Sequence, residues 1–267
     1  MADKEMAPGQ TYATPGIADW IEATHVAEDE GSARALEAPR VHGIPAIQVS
    51  PVEAKALEIF LRMAQARNVV EVGTLAGYSA IHMARSLPED GHLYCLEVDP
   101  RHARIAEENL RASGFSMRVT IVVGPGRETL GTIESAGPFD AVFIDADKVS
   151  YDHYGRWAAA HVRPGGLLIA DNAFLFGRLL DDTKEAEAMR RFHVEATRAF
   201  LTTCLPTPDG MLLGIRKSAP PECSDVHVPV GPRARRGFCS GRPRRWHGSS
   251  IEVIRCGIDA RLWHDRA

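Results

Sequence analysis

The sequence predicts an α/β protein built on a doubly wound, mostly parallel seven-stranded sheet, with one antiparallel strand near the C-terminal end and helices ahead of the first strand. Three observations carry that prediction. From Asn68 onward, short runs rich in β-branched residues alternate with longer stretches of helical period, the order that gives a parallel sheet covered by helices on both faces. A turn with two glycines, EVGTLAGYS at 71–79, follows the first run, as expected where a strand hands over to a helix N-terminus. PTPDG separates the last two apolar runs, and its turn residues predict a hairpin that makes the sheet mixed at one edge.

Before Asn68 the chain is helical: Ser50, Pro51 and Glu53 form a capping box with proline at the first helical position, and Leu57, Phe60, Leu61 and Ala64 fall on one face. The strand runs are then NVVEV, HLYCLEV, RVTIVV, FDAVFID and GLLIAD, and between them lie SAIHMARSL, RHARIAEENLRASG, RETLGTIESAG and YDHYGRWAAAHVR. Asp99 is a good N-cap for the second of these helices, Pro100 suits its first turn, and Gly114 stops it. A further helix, TKEAEAMRRFHVEATRAF, leads to the paired runs FLTTCL and MLLGIRK. EDEGSARALEAPRVHG near the N-terminus and AFLFGRLLDD after Asn172 read as loops over a substrate, or as plain surface connections.

Composition bounds the partners. The 267 residues carry 31 basic and 35 acidic side chains, a net charge of -4, so no overall positive field exists to hold nucleic acid or an anionic membrane. The start, MADKEMAPGQ, lacks the features of a secretory signal, and no stretch approaches the roughly 18 apolar residues that span a bilayer. A cytoplasmic protein with no nucleic-acid and no membrane partner is expected. The five cysteines include no CxxC pair, which argues for reduced thiols over a zinc ribbon or a disulfide framework. Residues 218–267 carry nine Arg, no Lys and five acidic residues, leaving +4 there and -8 in the first 217. A folded domain over 1–217 and an Arg/Pro-rich, poorly ordered tail over 218–267 are therefore expected.

In an open doubly wound sheet, ligands lie beyond the carboxyl ends of the strands where the winding reverses, and three strand ends here are chemically unusual. In EVGTLAGYS, Gly73 and Gly77 allow a tight turn and close backbone approach to a ligand; their GxxxG spacing differs from the GxGxxG of dinucleotide sites. Glu97, 24 residues beyond Gly73, stands where an acid accepts hydrogen bonds from a ribose diol. FIDADK at 143–148 and ADN at 170–172 each set oxygen ligands directly after an apolar strand. If those strands are neighbours, about 4.8 Å apart, Asp145, Asp171 and Asn172 can reach one hard cation, and two carboxylates with an amide oxygen suit magnesium. Each of the three also makes sense as an ordinary cap of the segment that follows. Lys148, three residues after Asp145, is a candidate base, since burial beside a cation disfavours a charged ammonium.

The ordered set EVGTLAGYSAIHMA, CLEVDP, FDAVFIDADKVSYDHY, PGGLLIADNAFLFGRLLDD and LPTPDGMLLGIRK resembles the cation-dependent class I O-methyltransferases, above all the caffeoyl-coenzyme A and catechol O-methyltransferases and their bacterial homologues. The resemblance runs from about Thr11 to Lys217. It implies a Rossmann-like fold and an S-adenosylmethionine lying over the glycine turn, with Glu71, Gly73, Tyr78 and Ser79 around its methionyl part and Glu97 on its ribose. Gly126, in GPGRETL, stands in the loop that flanks adenine, where the family usually carries alanine or another small residue. Asp145, Asp171 and Asn172 match the family's metal ligands, with Mg2+ the expected ion. Asp145 and Lys148 are the implied catalytic residues, and Asp145 and Asp147 also lie near the cofactor. Tyr154 either lines the substrate site or packs within its helix. A homodimer is implied as well, with the N-terminal helices involved.

The implied reaction transfers a methyl group from the sulfonium donor to a hydroxyl of a small catechol-like or caffeoyl-like vicinal-diol phenol. A phenol, with a pKa of about 10, must become anionic near neutral pH; a cation on its two oxygens stabilises the phenolate while Lys148 takes the proton. Two other readings stay open at this point. An NAD-dependent oxidoreductase on a similar sheet leaves the GxxxG turn and the strand-end carboxylates unexplained. A non-catalytic binding protein of the same fold leaves the filled base position unexplained.

Overall fold

The computed structural model describes residues 14–218. The chain divides into two units, Met1–Glu222 and Cys223–Ala267; the described residues belong to the first, and the expected tail lies outside them except for Ser218.

Three helices come first: α1 (Pro15–His25), α2 (Glu30–His42) and α3 (Pro51–Met63). The capping box predicted for α3 is present, with Ser50 Oγ accepting from Glu53 N and the Glu53 carboxylate accepting from Ser50 N at 3.0 Å. Helix α2 corrects the expectation of a covering loop over 28–43. Asp29 and Ser32 cap each other reciprocally, Gly43 closes the helix at φ 62, and Gly31, Ser32, Ala35 and Ala38 form its buried face. A Cβ on Gly31 would fall 1.7 Å from Ser113 Oγ, so α2 lies directly on the end of α5 (Pro100–Ala112). A face of glycine, serine and alanine leaves little hydrophobic period for a sequence reading to find.

The sheet comprises β1 (Asn68–Val72), β2 (His92–Glu97), β3 (Val119–Val123), β4 (Phe139–Ile144), β5 (Val162–Ala170), β6 (Phe200–Leu205) and β7 (Met211–Arg216). The remaining helices are α4 (Tyr78–Ser86), α6 (Gly126–Ile133), α7 (Tyr151–His161) and α8 (Lys184–Ala199). Strand order is β3-β2-β1-β4-β5-β7-β6. β7 runs antiparallel to β5 and β6, and the other pairs are parallel, which is the predicted fold.

Side-chain alternation places Val70, Val142, Ile144 and Leu168 in one core with Leu130, Tyr154 and Phe192 of α6, α7 and α8. Val69, Ala141, Phe143 and Ile169 face a second core with Leu57, Leu61 and Ile81 of α3 and α4. Burial of both faces is why the central strands read as nearly continuous apolar runs. The winding reverses between β1 and β4, which opens a crevice beyond their carboxyl ends. Among the described residues, Cys95 and Cys204 are free thiols, and no helix is long and apolar enough to cross a membrane.

Candidate active site

β1 delivers Glu71 and then the glycine turn. Gly73 adopts φ 92, and a Cβ there would fall 1.9 Å from the Asp145 carbonyl oxygen; only glycine lets the ends of β1 and β4 approach so closely. Gly77, at φ 83, is the N-cap of α4. The turn is braced by buried carboxylates. Glu71, wholly buried, accepts from Ser79 Oγ at 2.5 Å and from Thr74 Oγ1. Burial pushes the Glu71 carboxyl up to about 7, against the lowering effect of those two hydroxyls. Glu97 Oε2 accepts from Thr74 N at 3.1 Å and Leu75 N at 2.8 Å, and its Oε1 accepts from Asp99 N at 3.0 Å. Asn109 Nδ2, on α5, donates to the Ala76 carbonyl at 2.9 Å.

Glu71, Gly73, Ser79 and Glu97 are thus brought together at the turn. The Tyr78 hydroxyl instead donates to Glu28 Oε1 at 2.5 Å. Gly126 starts α6, and a Cβ on it would lie 3.0 Å from both Tyr154 Oη and Val72 Cγ1, so the glycine makes room for the tyrosine. Tyr154 is 1% exposed; it is a packed helix residue whose hydroxyl donates to Asp147 Oδ1 at 2.5 Å.

β4 and β5 are neighbours, with Ile144 opposite Ala170, so Asp145 and Asp171 leave adjacent strand ends. Asp171 is 6% exposed, and its Oδ1 accepts from Asn172 N at 2.7 Å. Burial and then the like charge of Asp145 push its carboxyl up to about 7. Burial also raises Asp145; Lys148 opposes that rise, while Glu53 and Asp209 add to it. Lys148 Nζ donates to Asp145 Oδ1 at 3.1 Å and to Tyr151 Oη at 2.9 Å, and it sits 4.8 Å from the Tyr151 ring centroid. Tyr151 Oη donates onward to the Asp171 carbonyl at 3.1 Å.

Tyr151 is a residue of this region that the sequence did not single out, its signal being its place three residues after Lys148 as a helix begins. Glu53, read in the sequence only as a capping residue, and Asp209 bear on Asp145 through their negative charge, once the fold has brought them near. Among the described residues, no three His, Cys, Asp or Glu side chains form a metal-holding cluster. The three residues expected to hold a cation, Asp145, Asp171 and Asn172, follow neighbouring strand ends; their side-chain donors are all oxygen, a chemistry that would suit a hard divalent ion better than zinc.

The O-methyltransferase family model matches residues 26–217. The chain is 42% identical over 202 residues to a catechol O-methyltransferase of Niastella koreensis, covering 71% of this chain and 91% of that protein. It is 39% identical over 175 residues to a catechol O-methyltransferase of Mycobacterium tuberculosis, covering 66% and 79%. Among solved structures it is similar to the O-methyltransferase TomG of Streptomyces achromogenes in complex with SAM, with a TM-score of 0.73 and 32% identity over 76% of this chain and 96% of that one. The match spans the whole sheet and both strand-end motifs, and the chain belongs to the O-methyltransferase family.

Proposed function

We propose that the protein transfers a methyl group from S-adenosylmethionine to one hydroxyl of a small catechol-like or caffeoyl-like vicinal-diol phenol, with a divalent cation, Mg2+ by preference, held by Asp145, Asp171 and Asn172. One observation carries the reading: two repelling, largely buried carboxylates stand at neighbouring strand ends, with Lys148 on one of them and the glycine turn packed against its backbone. Family membership sets aside the oxidoreductase alternative.

On this reading the N–H groups at the start of α4 receive the carboxylate of the donor. Glu97 already accepts three backbone bonds, which leaves about one of its four lone-pair sites for a ribose hydroxyl. Gly126 lies at the adenine side. A cation held there by Asp145, Asp171 and Asn172 would supply Lewis acidity to the phenol. Lys148, entering the step as the free amine with its own proton already passed to solvent, takes the phenol proton at Nζ, an atom held in place by Asp145 and Tyr151. We read 1–217 as the catalytic domain of a cytoplasmic homodimer without nucleic-acid or membrane partners; the net charge of -4 supports the absence of polyanionic partners.

The test is a panel of vicinal diphenols and matched monophenols incubated with S-adenosylmethionine in Mg2+ or in excess chelator. Methylation of the diphenols alone, and only with Mg2+, is expected. Equal rates on monophenols, or full activity in chelator, would contradict the reading.

A further inference from the structure

The turn after β5 has an unfavourable backbone and is held in place by the β6–β7 hairpin. Asn172, Leu175 and Phe176 have left-handed φ values of 53, 50 and 54, a region that non-glycine side chains resist and that persists only where the surroundings impose it. Three N–H groups of this turn end on two hairpin residues. Ala173 N donates to the Gly210 carbonyl at 2.8 Å, Phe174 N to the Asp209 carbonyl at 2.9 Å, and Phe176 N to Asp209 Oδ1 at 2.6 Å. The contact is also sterically close: Gly210 has φ 73, and a Cβ on it would fall 2.7 Å from the Phe174 ring. On the other side, His193 Nε2 lies 2.9 Å from the Ala173 carbonyl. Asp209 Oδ2 is shielded from solvent and makes no hydrogen bond among the described residues, so the bond at Oδ1 is the one this side chain makes there.

We propose that Asp209 is a positioning residue that sets the place of Asn172, and with it the third donor of the cation site, by pinning the 172–177 turn to the hairpin. This deepens the function proposed above and rests on it. Asp209 acts through the backbone of the turn, and removing a partner that orients a metal ligand lowers metal affinity about 10- to 100-fold.

Calorimetric titration of Mg2+, and separately of S-adenosylmethionine, into the chelator-treated full chain compares wild type, Asp209→Ala and Asp209→Asn. The asparagine keeps an amide oxygen for Phe176 N–H, and the alanine does not. Asp209→Ala should bind Mg2+ about tenfold more weakly or worse, Asp209→Asn should recover most of that loss, and both should bind S-adenosylmethionine within about twofold of wild type. Wild-type Mg2+ affinity in Asp209→Ala would overturn the positioning role. So would a parallel loss of both ligands, which marks general damage. Should Asp209→Ala not fold, Asp209→Ser, whose shorter side chain withdraws the acceptor, is held to the same outcomes. Absence of Mg2+ binding by the wild type itself would overturn the cation reading first and this proposal with it.

Discussion

At the adjacent ends of β1 and β2, Glu71 and Glu97 are surrounded by donors, from Thr74 and Ser79 for the first and from Thr74, Leu75 and Asp99 for the second. At the ends of β4 and β5, Asp145 and Asp171 repel each other, with Lys148 Nζ and Asn172 N as their hydrogen-bond donors among the described residues. The difference is one of charge balance, and it is what the proposed division between donor and cation rests on. The glycine turn is satisfied by protein groups and offers backbone to whatever lies on it. The acid pair carries an excess of buried negative charge, and a cation relieves such an excess where apolar packing does not.

The comparison breaks most visibly if the acids prove dispensable. Asp145→Ala or Asp171→Ala should lower kcat/KM by about 1000-fold or more, roughly 4 kcal/mol of transition-state stabilisation, with an unchanged circular dichroism spectrum and, for Asp171→Ala, unchanged donor binding. Lys148→Ala should lower kcat by about 100-fold, again with donor affinity preserved; a loss confined to donor affinity would move Lys148 to the other half of the site.

The glycine-turn half is sharpened by pH. The Glu71 carboxyl titrates at about 7 in the folded protein against 4.5 for an ordinary glutamate, so the folded state holds the extra proton. The stability it contributes is full below about 4.5 and is lost as pH rises through about 7. Between about pH 5 and 8 this group should remove up to about 3 kcal/mol, and Glu71→Gln should flatten that fall in denaturant unfolding measured at each pH. An unaltered slope would mean that Glu71 is not the buried acid described. The smallest effect is expected from Tyr151→Phe, which removes the hydroxyl between Lys148 and the Asp171 carbonyl: about 1 kcal/mol of stability and a several-fold fall in kcat, measured by thermal unfolding and steady-state kinetics.

Much of this was legible in the chain. Apolar runs separated by helical periods gave the sheet, and Asp99, Pro100, Ser50 and Glu53 marked two helix starts because capping is a local interaction. Asp145, Asp171 and Asn172 stood out because oxygen ligands followed buried strands. Helix α2 escaped because its packing face is made of small residues with little hydrophobic contrast. Glu97 was visible as a strand-end acid and Glu71 through the family resemblance, but a sequence cannot separate a carboxylate that braces the glycine turn from one that faces a ligand. Asp209 looked like an ordinary hairpin residue; its bond to Phe176 N spans 33 residues and exists only once the sheet edge has formed.

The central claim, a cation held between the acids of β4 and β5, is tested most directly by anomalous diffraction from a crystal grown with Mn2+ in place of Mg2+. One peak within about 2.0 to 2.5 Å of oxygens from Asp145, Asp171 and Asn172 is predicted. A crystal with S-adenosylmethionine on the glycine turn and no ion between those three side chains would contradict it.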